Sequence, residues 1–288
     1  MKLYSAFAWL TDWGVLQASG PKVTDFLQGQ LTCDVRELNE KKSCFGAYCD
    51  VKGRIQASFY LFFDQASYYF LLPKRVIPYL KNSLKKYAVF SATSLIDVTE
   101  HWGLLGLAEP LSHDISLPSS SQLIRLAGPS SRAVLAGPIE YVKASLTSPA
   151  QPLTLNDWHC LDICSGLATI YPETIGLFTP HQLNYPSLGA VSFTKGCYLG
   201  QEVIARTHYL GKPKIQLYRI SFQCPNPIRA GTSLQNDTHT RQGTLVASAY
   251  QENSTYQGLA CLQIPPASPN IYLPSPTGPV FVTLLDSD

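Results

Sequence analysis

The sequence predicts an α+β protein that ends in a small β-barrel. Between Gly14 and Leu167, strand-like apolar runs alternate with apolar residues spaced three or four apart, the mark of amphipathic helices. Beyond Gly211 that helical spacing stops. Short strand-like runs at 215–222, 244–250, 258–264 and 280–285 are then separated by loops of Pro, Asn, Ser and Gly, the texture of a barrel. At 288 residues the chain also exceeds the usual single-domain size, which predicts two or three subdomains.

The elements follow in order. Gly14 to Ala18 is a short strand. Ser19-Gly20-Pro21 then turns into a helix carrying Val23, Phe26 and Leu27, with Pro21 suited to a first turn whose N–H groups lack helical partners. Gly29 and Thr32 end it. Cys44 to Tyr48 and Ile55 to Phe63 are strands around a turn at Lys52-Gly53, where glycine can take positive φ. Tyr68 to Leu72 adds a strand that Pro73 closes. Ile77, Leu80, Leu84 and Tyr87 share a helical face, and Lys81, Lys85 and Lys86 form its solvated side. Leu95 to Val98 and Trp102 to Ala108 are further strands. Pro110 to Ser121, rich in Ser and Pro, reads as a connector. Leu123 to Leu126 and Ala133 to Leu135 resume short apolar runs. Asp157 to Leu167 is a helix with Trp158, Leu161 and Cys164 on one face, and Pro180 to Tyr185 is a short helical turn.

Composition narrows the function classes. Net charge is +2, from 22 basic and 20 acidic residues, which argues against a broad nucleic-acid or anionic-membrane surface. The eight cysteines contain no CxxC pair, and neither a long apolar leader nor an eighteen-residue apolar run is present. These features predict free thiols, a reducing compartment and a cytoplasmic location without membrane attachment.

The stretch richest in chemistry is Lys195-Gly196-Cys197-Tyr198-Leu199-Gly200-Gln201-Glu202, or KGCYLGQE. It joins one cysteine, two glycines, a base and an acid ahead of a helical pattern. A loop-to-helix junction of this kind presents backbone N–H groups and a thiol near the positive end of a helix dipole, where a thiolate is favoured. The residues alone allow a nucleophile, a redox or metal-binding thiol, or a tight turn around a buried cysteine.

With the run extended to Arg206, the chain resembles the YgfZ family of folate-binding proteins, relatives of the glycine-cleavage T-protein, an aminomethyltransferase. Supporting stretches are Leu27 to Val35, Cys49 to Ile55, and Phe178 to Asn184. The resemblance implies an aminomethyltransferase-like, three-subdomain fold around a tetrahydrofolate site. It places an interrupted folate-binding domain at 1–43 and 112–205, an inserted α+β domain at 44–111 and the barrel at 206–288. It also implies a role in assembling or repairing iron–sulfur enzymes, with an indirect effect on tRNA modification. The implied partners are folate and iron–sulfur client enzymes or assembly proteins, with no direct stable nucleic-acid binding. A folate-dependent aminomethyl or one-carbon transferase is the enzyme alternative, and a noncatalytic regulatory interaction protein is a third. The T-protein carries paired acids near the positions of Gln56 and Ala57, neither of which is a carboxylate. Its pterin-contacting glutamate corresponds to Cys164.

From this resemblance Cys197 is the functional thiol, with Lys195 as support for its thiolate and Glu202 as an orienting or capping group. Asp34, Asp50, Asn184, Gln201 and Arg206 are the candidate folate-binding residues. Asn184 and Gln201 offer both donor and acceptor atoms to a pterin, and Arg206 offers a cation to folate carboxylates. Cys160 and Cys164, with His159 nearby, fall short of the four convergent ligands of a structural zinc site, so no stable metal is expected. Transient contact with an iron–sulfur cluster through Cys197 remains open.

Overall fold

The computed structural model describes residues 5–108, 121–145, 150–211, 214–264 and 270–285. The expected connector at 110–121 lies almost wholly outside them. Three β units organise the chain. The first sheet runs Gln151–Pro152, Ala6–Trp9, Trp102–Ala108, Arg132–Pro138, Gln122–Arg125, antiparallel except for the parallel pairing of Ala6–Trp9 with Gln151–Pro152. The second is antiparallel throughout, in the order Ser43–Cys49, Ile55–Asp64, Ser67–Pro73, Trp13–Ser19, Ser94–Asp97. The third is a closed six-stranded barrel, sealed where Ile215–Gln223 pairs with Val280–Leu285.

The sheets cut across the domain boundaries expected from the sequence. Trp13–Ser19, expected in the first domain, hydrogen-bonds between two strands of the second sheet. Trp102–Ala108, expected in the inserted domain, lies between Ala6–Trp9 and Arg132–Pro138 in the first sheet. A short turn through Leu10, Thr11 and Asp12 carries the chain from one sheet to the other. Position 206 falls inside the helix Gln201–Leu210, and the barrel's first strand starts at Ile215.

One buried cluster joins all three units. It contains Ala8 and Val134 from the first sheet, Val15, Phe45 and Tyr60 from the second, and Leu217, Val246 and Leu259 from the barrel. Trp158, on the helix Leu155–Cys164, sits in the same cluster and is 1% exposed. Burying an aromatic of its size contributes about 4–6 kcal/mol by area. The neighbouring strand makes room with Gly106, where a Cβ would lie 2.7 Å from the indole. The helix is fixed at its start by a capping box, in which the Thr154 hydroxyl accepts from the Asp157 N–H and the Asp157 carboxylate accepts from the Thr154 N–H. Its buried residues are Trp158, Asp162 and Ile163, while Cys164, expected on the Trp158 face, is exposed.

Candidate functional site

The separate sequence stretches around Leu27, Cys49 and Lys195 form one structural unit. Thr32 anchors the first to the loop before the helix Gln201–Leu210. Its hydroxyl donates to the Ala190 carbonyl at 2.6 Å and accepts from the Ala47 N–H, and its carbonyl accepts from the Ser192 N–H. Leu199 N–H donates to the Gly29 carbonyl. Lys195 completes the joint by donating to the carbonyls of Leu31 and Cys33, each at 2.8 Å, with its ammonium 5.1 Å from the Tyr198 ring centroid. Burial pulls the Lys195 pKa down to about 8, against the pull of Cys33, Asp34 and Cys44. Lys195 therefore ties two loops together, and its charge favours the thiolates of Cys33 and Cys44. The expected support of a Cys197 thiolate gives way to this role, because the long lysine stem runs inward.

The Cys49 stretch docks through glycine. Gly200 caps the helix Gln201–Leu210 at φ +80°, and a Cβ there would collide with the Asp50 carbonyl oxygen. Gly53, at φ +68°, lies against Val203 and Ile204. Asp50 closes its own turn: Oδ1 accepts from the N–H groups of Lys52 and Arg54, both at 2.9 Å, and Oδ2 accepts from Gln56 Nε2.

Cys197 stands exposed in irregular backbone three residues before the Gly200 cap, outside the first helical turn. Glu202 is the acidic residue of that first turn, where it complements the dipole. Asn184 is exposed and closes a short helical turn at φ +57°. Gln201 and Arg206 lie on the helix itself, Arg206 exposed. Asp34 accepts from Gln28 Nε2 and the Arg36 N–H, and lines a cavity of about 360 Å³ together with Cys33, Cys44 and Tyr60.

A second cavity of about 300 Å³ lies between the helix Leu155–Cys164 and the barrel. Apolar walls come from Ile163, Leu167, Ile228 and Val246, and polar groups from His159, Asp162, Tyr171 and Arg229. Cys197, Asp34, Asp50, Asn184, Gln201 and Arg206 are not among its lining residues, so the structure does not gather the expected folate ligands here. Behind it, Asp12 Oδ2 accepts from the Tyr171 hydroxyl and lies 3.1 Å from His159 Nε2, while Asp12 Oδ1 is buried and takes no hydrogen bond. Burial pushes the Tyr171 phenol far up, so it stays a donor. Asp162 is raised by burial and countered by Arg132, whose Nη1 reaches its Oδ1 at 2.6 Å. The i, i+3, i+4 spacing of His159, Asp162 and Ile163 was the signal in the sequence for this wall. Tyr171 and Arg229 come from distant segments and left none.

Burial disfavours the His159 cation, but the hydrogen bond and charge of Asp12 outweigh it, so its pKa rises from 6.5. A raised histidine contributes stability that is full below its unfolded pKa and is lost as pH climbs through the folded value. Denaturant titrations are thus expected to show stability falling above pH 6.5, and His159→Gln to flatten that fall. An identical pH profile in the variant contradicts the assignment.

No protein-family model matches the chain. A protein of Colwellia psychrerythraea described as tRNA-modifying protein YgfZ is 32% identical over 237 residues, covering 77% of this chain and 73% of that relative. A protein of the same description from Hamiltonella defensa is 32% identical over 261 residues, covering 83% and 77%. The chain belongs to the YgfZ family. Among solved structures, the glycine cleavage system aminomethyltransferase T of Bartonella henselae superposes with a TM-score of 0.74 at 15% identity, covering 99% of this chain and 86% of that one. The YgfZ-family chain therefore has the aminomethyltransferase fold, with its C-terminal barrel.

Within that fold its departures have clear surroundings. Gln56 accepts from the Tyr79 hydroxyl and donates to Asp50, and Ala57 is fully buried in the second-sheet core. Cys164 faces Gln257 of the barrel at 3.3 Å. Among the described residues, no group of three or more His, Cys, Asp or Glu side chains could hold a metal ion, and no helix is long and apolar enough to cross a membrane.

Proposed function

We propose that this protein binds tetrahydrofolate in the cavity between the helix Leu155–Cys164 and the barrel, and uses Cys197 as a separate, exposed thiol in supporting iron–sulfur enzymes. The observation that carries the reading is the composition of that cavity: an apolar slot with convergent donors and acceptors in an aminomethyltransferase fold. Its volume falls at the lower end of small-ligand sites. The residues fit a pterin. Asp162 is a buried acceptor held in place by Arg132, and the Tyr171 oxygen, whose O–H is given to Asp12, offers a second acceptor at the wall. Arg229, exposed at the cavity wall, offers a cation to a carboxylate tail. Bound tetrahydrofolate would supply a pterin whose ring nitrogens carry one-carbon units. His159, sharing Asp12 with Tyr171, holds a proton at Nε2 beside the slot.

The thiol half of the reading rests on the docked loop. Lys195 and Gly200 hold the segment on either side of Cys197, leaving the sulfur in solvent, where a client protein can reach it. An influence on tRNA modification would then pass through an iron–sulfur client, in keeping with the net charge of +2. Aminomethyl transfer of the T-protein kind is disfavoured, since Gln56 and Ala57 supply no carboxylate.

The test is rescue of an iron–sulfur client enzyme in a deletion strain. Cys197→Ser is expected to unfold within about 0.5 kcal/mol of the parent, as an exposed substitution should, and to lose most of the client activity. Full client activity from that variant would remove the thiol from the proposal.

A further inference from the structure

The loop after the first helix brings two other cysteines together. Leu31 bridges Tyr48, and the Thr32 N–H donates to the Ala47 carbonyl, so this loop runs antiparallel along the strand Ser43–Cys49. Continuing that register places Cys33 opposite Gly46. A Cβ on Gly46 would lie 2.5 Å from Cys33 Sγ, so the missing side chain is what makes room for the sulfur. Cys44 is two residues from Gly46 on the same strand, and its side chain leaves on the same face. Register and shared face thus set the two side chains next to each other. Both line the cavity of about 360 Å³ that also holds Asp34 and Lys42. Cys33 is 2% exposed, whereas Cys44 is half-buried.

The environments of the two sulfurs divide their chemistry. The hydrogen bond from Cys44 draws the Cys33 pKa below its ordinary value despite burial, and the Lys195 cation acts in the same direction. The same hydrogen bond, together with burial, holds Cys44 well above its ordinary value. With the Lys195 ammonium 2.8 Å from the Cys33 carbonyl, the cation lies at the Cys33 end of the pair, which makes Cys33 the attacking thiolate and Cys44 the resolving thiol.

We propose that Cys33 and Cys44 are a redox pair that hydrogen peroxide, entering through this cavity, converts to an intramolecular disulfide, independently of Cys197. The Cys33 thiolate attacks one peroxide oxygen; an S–O bond forms, the O–O bond breaks, and the departing hydroxide takes up the proton released from Cys33 to become water. The Cys44 sulfur then attacks the Cys33 sulfur. The S–S bond forms, the S–O bond breaks, and the leaving hydroxyl takes the Cys44 proton as a second water. Two electrons pass from the thiols to the peroxide, and a dithiol reductant reverses the change. The disulfide closes the segment between Cys33 and Cys44, whose first carbonyl is held by Lys195, so oxidation acts on the same joint that docks the Cys197 loop.

Peroxide titration of the full-length protein tests this. Hydrogen peroxide is added, free thiols are alkylated under denaturing conditions, and the peptides are mapped by mass spectrometry. The expected product is a Cys33–Cys44 linkage that dithiothreitol removes. It should form equally in Cys197→Ser. In Cys44→Ser the reaction should stop at a Cys33 sulfenic acid that dimedone traps. Cys33 and Cys44 both remaining alkylated at peroxide levels that oxidise Cys197 would overturn the proposal. So would a linkage of either cysteine to a different partner. The parent-protein measurement stands even if Cys44→Ser folds poorly.

Discussion

Arg132→Met is expected to destabilise the protein by about 3–5 kcal/mol, the usual cost of stranding one partner of a buried ion pair. The Arg132 side chain is 1% exposed and that of Asp162 12%. The guanidinium gives Nη1 to Asp162, Nη2 to the Ser165 hydroxyl and Nε to the Ser130 hydroxyl, and lies 5.1 Å from the Trp158 ring centroid. Methionine keeps much of the apolar stem but leaves the carboxylate without a counter-charge. The loss should shrink at low pH, since burial already raises the Asp162 pKa and a protonated carboxyl needs no counter-ion. Arg132→Met with Asp162→Leu should recover part of the stability, because that pair removes both charges. Urea unfolding of the parent and both variants at neutral and acidic pH checks this. A single variant within 1 kcal/mol of the parent would show that water compensates Asp162.

Gly200→Val is expected to cost about 2–5 kcal/mol, combining a left-handed φ that β-branched residues avoid with a collision that backbone must relieve. The collision is with the Asp50 carbonyl, part of the turn that Asp50 itself closes, so the loop has to move away. The variant keeps Cys197 but should lose client rescue along with stability. Asp50→Ala, which loosens the turn without a collision, should cost less. Denaturant midpoints read the stability, and parent-like rescue by Gly200→Val would separate loop docking from function.

The sequence carried local structure well and partnership poorly. The strand at Trp13–Ser19 is evident from its apolar run, but nothing in that run says which sheet it joins. The choice is made by ladders to Ser67–Pro73 and Ser94–Asp97, dozens of residues away. The barrel was legible because its strands are consecutive and its texture differs from what precedes it. At the site, the KGCYLGQE stretch announced a loop-to-helix junction, and Gly200 fulfils that with its positive φ. The direction of Lys195 could not be read, since flanking charge does not say whether a long stem points toward a neighbouring sulfur or into the fold. Of the cavity between the helix Leu155–Cys164 and the barrel, only the helical wall was legible, for a similar reason. His159 and Arg229 lie 70 residues apart in sequence and meet only when the barrel packs on the helix. Cys33 and Cys44 are joined by strand register, which cysteine spacing does not encode.

Folate bound between the helix Leu155–Cys164 and the barrel, as proposed, would occupy a different place from the Cys197 thiol. Calorimetric titration of tetrahydrofolate into the parent, Arg229→Ala and Cys197→Ser tests it most directly. Loss of the charged contact at Arg229 should weaken binding about tenfold, a cost of about 1.4 kcal/mol. Cys197→Ser should bind within about twofold of the parent, a difference below about 0.5 kcal/mol. Parent-like binding by Arg229→Ala together with loss of binding in Cys197→Ser would place the folate at the KGCYLGQE loop and contradict the account.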